Sequence, residues 1–86
     1  MIYFIRSNND MINIGRSSRT RRILWELRRY SSDRDEKFDL IGEIEGSEAD
    51  LMEIRELFRD LHSHKDWYWS DERLIQFIDR FCSKKQ

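Results

Sequence analysis

Met1-Ile-Tyr-Phe-Ile-Arg6, Ser7-Asn-Asn-Asp10 and Met11-Ile-Asn-Ile-Gly15 are consecutive, and the fold turns on how they are read. The first is apolar, β-branched and aromatic, the composition of a strand. The second is a cluster of short polar residues suited to a turn. The third alternates and reads as another strand, so the three together predict an N-terminal β-hairpin. Side chains alternate along a strand, which puts Ile2 and Phe4 on one face and Tyr3 and Ile5 on the other. Ile12 and Ile14 likewise oppose Asn13 and Gly15.

After the hairpin, Ser17 or Ser18 can cap a helix running to about Tyr30, with Ile23, Leu24 and Leu27 at helical spacing and Trp25 as a further contact. Residues 31–37 are polar and read as a loop. Phe38-Asp-Leu-Ile-Gly-Glu-Ile-Glu45 alternates and reads as a third strand ended by Gly46-Ser47. Ser47 and Asp50 form a Ser-x-x-Asp start for a helix to about His62, striped by Leu51, Ile54, Leu57, Phe58 and Leu61. Trp67-Tyr-Trp69 reads as an aromatic link before a last helix that begins at Ser70 and buries Leu74, Ile75, Phe77, Ile78 and Phe81. The expected architecture is α+β: a small three-stranded antiparallel sheet covered by helices in two layers, in the order β-β-α-β-α-α.

At 86 residues the chain is one small domain, residues 1–86, with a modest core. Aromatic residues make up 13% of it, too many for a disordered chain. No apolar run reaches the ~20 residues of a membrane helix, and residues 1–15 do not have the layout of a signal peptide. A single cysteine, Cys82, cannot form an intrachain disulfide, which fits a reducing, cytoplasmic setting. No proline, repeat or low-complexity stretch marks an internal boundary.

The 16 basic and 17 acidic side chains leave a net charge of −1, which excludes a uniformly basic nucleic-acid binder. They are nonetheless segregated. Between residues 16 and 30 stand Arg16, Arg19, Arg21, Arg22, Arg28 and Arg29 against the lone acid Glu26, and between residues 35 and 56 nine acids oppose Lys37 and Arg55. Arginine presents a planar fork suited to phosphate, so an arginine-dense helix beside a hairpin can follow a nucleic-acid backbone. The same helix can instead pair with the acidic half of this chain or of another copy.

Ile2-Tyr3-Phe4-Ile5, a short turn, and Ile12-Asn13-Ile14-Gly15-Arg16-Ser17 resemble the hairpin of the GIY-YIG nuclease superfamily, in its short stand-alone phage and bacterial branch. The resemblance continues through Arg21-Arg22-Ile23 with Leu27, the third strand to Gly46, Phe58 and Leu61, Asp66-Trp67-Tyr68 and the closing helix from Leu74 to Ile78, nearly the whole chain. It implies phosphodiester hydrolysis with one Mg²⁺ ion. Tyr3 would help activate water, and Arg22 or Arg21 would bind the scissile phosphate; from the arginine-rich segment itself, Arg16, Arg19 and Arg28 would hold the nucleic acid, expected to be DNA. A glutamate on the second helix would hold the metal.

Two departures bear on cleavage. The second tyrosine position holds Asn13, which cannot act as a base, and the glutamate position falls on Leu51, with Arg55 where a histidine often follows. Glu48, one turn before Leu51 on the same face, could serve as a relocated metal ligand. Three functions remain open: a nucleic-acid-binding domain of degenerate nuclease type, an active Mg²⁺-dependent endonuclease using Glu48, and a protein-interaction module, including homo-oligomers joined through oppositely charged faces. Around His62 and His64 the sequence reads as solvated residues at a helix end, although two imidazoles and two carboxylates lie close together there.

Overall fold

The computed structural model describes residues 1–32 and 34–82; Asp33, in the polar stretch 31–37, lies outside them. The elements are β1 (Ile2–Ser7), β2 (Met11–Arg16), α1 (Thr20–Tyr30), β3 (Phe38–Ile44), α2 (Glu48–Leu57), a 3₁₀ turn (Arg59–Leu61), β4 (His62–His64), β5 (Trp67–Trp69) and α3 (Glu72–Phe81). The chain is α+β, but the expected three-stranded sheet is corrected to five antiparallel strands in the order β3-β1-β2-β5-β4. The chain order becomes β-β-α-β-α-β-β-α. The helix expected to reach His62 stops at Leu57, and Trp67–Trp69 is a strand.

The additional strands come from a tight hairpin. Lys65, at φ 49°, turns the chain between β4 and β5. The Tyr68 ring then meets His62 edge-on at 5.1 Å. Three residues are too few for alternation to show, and His-Ser-His lacks the β-branched composition that marks a strand. Pairing with β2, at Met11, Ile12 and Asn13, makes this segment extended.

The layers also differ from expectation, because β1 is buried on both faces. Ile2 and Phe4, with Ile12, Ile14 and Tyr68, pack against Leu51 and Phe58 from the α2 side and Leu74 and Ile78 of α3. Tyr3 and Ile5, with Phe38, pack against Ile23, Leu24 and Leu27 of α1 and against Trp67. The sheet therefore lies between α1 on one face and α2 with α3 on the other, three layers in place of two.

Ser47 and Asp50 close a full capping box at the start of α2, each side chain accepting from the other's backbone N–H. Asp71, not Ser70, caps α3 by accepting from the Arg73 N–H at 2.9 Å. The N-cap of α1 is Arg19, which has no side-chain cap of its own; the Ser17 hydroxyl accepts the Arg19 N–H at 2.9 Å. At Gly42 a Cβ would approach Ile78 Cγ2 to 2.8 Å and Cys82 Cβ to 2.9 Å, so the absence of a side chain there lets α3 lie directly on β3.

Candidate functional site

Tyr3 lies in β1, an inner strand of the sheet, 7% exposed, with its ring and hydroxyl stretched across Gly15. Beyond Asn13, β5 no longer pairs with β2, and the backbone of Ile14 needs other partners. The Asp66 carbonyl accepts the Ile14 N–H at 3.0 Å, and Arg55 Nη2 donates to the Ile14 carbonyl at 3.0 Å. The same Nη2 donates to Asp66 Oδ1 at 2.8 Å. Arg55 Nε is buried with no acceptor among the described residues.

This arrangement sets the electrostatics of Tyr3. Burial raises its phenol pKa above the ordinary value; the Asp66 carboxylate raises it further, Arg55 opposes, and Glu26 adds a smaller upward push. A phenol shifted in this direction is neutral at physiological pH and a poorer base than an ordinary tyrosine. Asn13, in the second tyrosine position, is buried in register with Ile5 and Trp67.

The arginines fall into different roles. Arg22 is bound to Glu26 at 3.2 Å, one helical turn on. Arg28 donates twice to the Phe38 carbonyl, at 3.2 and 2.8 Å, and so fastens the end of α1 to the start of β3. Arg16 reaches from the end of β2 to the Gly46 carbonyl at 2.9 Å. Arg19 and Arg21 are exposed and have no carboxylate partner among the described residues. Arg29 lies over the Trp25 ring at 5.0 Å and the Tyr30 ring at 5.9 Å. Trp25 stands four residues after Arg21, and Arg28 and Arg29 stand three and four residues after Trp25, so all four neighbour Trp25 on the exposed side of α1 as one outward stripe. Trp25 is 54% exposed within it.

Glu48 opens α2 and is exposed. Neither Glu48 nor Arg22 is among the charges acting on Tyr3, although Arg22 pairs with Glu26, which is. What gathers at Tyr3 is Arg55, Asp66 and Glu26. From the sequence, Asp66 stood only within a motif and Arg55 only as a departure from one, because their meeting depends on where β5 begins.

The resemblance implies Mg²⁺ held by one glutamate, and Leu51, in that glutamate's position, has no oxygen to offer. Leu51 is 3% exposed in the core, a guanidinium stands beside Asp66, and among the described residues no three His, Cys, Asp or Glu side chains converge on a metal site. His62 and His64 lie on the outer strand β4, where His62 Nε2 pairs with the Lys65 carbonyl at 2.7 Å. The chain matches no protein-family model, no curated protein and no solved structure.

Proposed function

We propose that this chain binds nucleic acid, DNA in the first instance, through the outer face of α1, and that it does so without metal-dependent cleavage. The observation that carries this reading is the outward stripe of Arg21, Trp25, Arg28 and Arg29, where planar cationic donors flank an exposed aromatic ring. Guanidinium groups match phosphate oxygens, and an indole offers a stacking surface. The likeness of the hairpin and first helix to the GIY-YIG nucleases supports a nucleic-acid ligand. Asn13, Leu51 and the protonated, enclosed Tyr3 speak against hydrolysis.

The test is fluorescence polarisation with labelled DNA of about 20 nucleotides, single-stranded and duplex, over a salt series. With about four phosphate contacts, affinity should fall on the order of a hundredfold between about 50 and 200 mM NaCl. Arg21→Glu with Arg29→Glu should weaken binding at least about tenfold, while Arg59→Glu, on the far side of the molecule, should not. Absence of binding by both DNA forms at the lower salt would overturn the reading. If the wild type instead showed concentration-dependent sedimentation that the double variant abolished, the arginine face would be a contact between copies.

A further inference from the structure

We infer that the pocket beside α1 receives an unstacked nucleobase, so that the preferred ligand is single-stranded nucleic acid; this rests on the nucleic-acid reading above and narrows it. The pocket has a volume of about 760 Å³ and is lined from α1, β1, β3 and α3. That volume falls within the roughly 300–1,000 Å³ of small-ligand sites. It lies on the β3 side of the sheet, where β3 is the outermost strand. Leu24, Leu40, Ile41, Ile75 and Ile78 give it an apolar lining, and Trp25 supplies a ring face.

Arg6, Arg21 and Arg28 bring three guanidiniums to the same pocket, against the carboxylates of Asp39 and Asp79. Arg28 lies 3.9 Å from Asp39. The complementary ligand is flat and apolar-faced with anionic groups beside it, which describes a base with its neighbouring phosphates. Carboxylates at the wall can accept from an exocyclic amino group of such a base. A duplex keeps its bases paired and stacked, so it can offer α1 only phosphates and would leave the pocket and Trp25 unused. Stacking on an aromatic ring with basic groups along the backbone is the usual way to hold a single strand.

The experiment compares a labelled deoxycytidine oligonucleotide of about 20 nucleotides, whose bases carry the exocyclic amino group, with a duplex of the same length, and follows intrinsic tryptophan fluorescence alongside polarisation. The single strand is expected to bind at least about fivefold tighter and to quench fluorescence. Trp25→Ala, a change at a half-exposed position, should cost single-strand affinity about fivefold or more and leave duplex affinity within about twofold. Trp25→Phe should keep the affinity but lose the quenching, and Arg6→Glu should weaken the single strand selectively. Equal affinity for the two forms, or Trp25→Ala binding the single strand as the wild type does, overturns this inference and leaves nucleic-acid binding standing. Failure of both forms to bind overturns both.

Discussion

Gly15 stands opposite Tyr3 in the β1–β2 ladder, and a Cβ added there would fall on the phenol ring and its hydroxyl. The ring is enclosed and cannot easily move aside. Gly15→Ala should therefore lower unfolding stability in urea by about 1–3 kcal/mol. Combined with Tyr3→Leu, the loss should be smaller than the sum of the single changes, since the clash is shared. Cys82 shows what burial does to a thiol: its pKa is pushed up to about 11 from 9.0. At about pH 8 its reaction with a disulfide reagent should run about tenfold or more slower than that of a free thiol, because the scarcer thiolate is only partly offset by its greater nucleophilicity. Tyr3 and Tyr68 are shifted upward too, chiefly by burial. All three hold their protons more tightly when folded than when unfolded. The stability this contributes is present below the unfolded values and is lost as pH rises through the folded ones. For Cys82 that window runs from 9.0 to about 11. The urea midpoint should fall across it, and fall less in Cys82→Ala. Tyr3 was legible as a candidate from its place in the hairpin. The raised pKa was not, because it comes first from burial by packed segments and then from Asp66, far along the chain.

Among the elements, the start of α2 was written most plainly. Ser47 and Asp50 act within four residues of local sequence, and Ser47→Ala should destabilise the protein by about 1 kcal/mol in thermal or urea unfolding. The same change made after Asp50→Ala should cost less, because the box is reciprocal. The β4–β5 hairpin is the opposite case. Its identity depends on β2 offering Met11 to Asn13 as partners, and its turn holds Lys65 in the left-handed region. Lys65→Gly should be neutral or stabilising by up to about 1 kcal/mol, because glycine adopts that conformation without strain. Marked destabilisation on that change would show that the turn is held by something other than backbone preference. Helix exposure also departed from the stripes: Leu57 and Phe81 stand on the apolar sides of α2 and α3, yet each is more than half exposed. Both lie at the last position of their helix, where the neighbouring layer no longer covers them.

For the whole molecule, the charge segregation seen along the chain becomes a segregation in space, with α1 on one face of the sheet and the acidic α2 on the other. Such a molecule can orient toward a polyanion despite a net charge of −1. If the α1 face binds without a metal, EDTA should leave DNA affinity unchanged, and added Mg²⁺ should yield no nicking of supercoiled plasmid. Nicking that vanished in Glu48→Ala would restore the endonuclease reading. No helix among the described residues is long and apolar enough to cross a membrane. The amino-acid sequence by itself determined the hairpin, the three helices, the third strand, the α+β class and the arginine-rich helix. All of these follow from period, composition and capping within about fifteen residues. Only the tertiary structure decided the five-strand sheet, the burial of β1 on both faces, the meeting of Arg55 and Asp66 at Tyr3, and the pocket at the β3 edge lined from α1, β1, β3 and α3. Each of these is a contact between segments distant in the chain. Backbone groups left open at one strand's edge are satisfied by whichever residues packing brings there, and no local pattern records which those are.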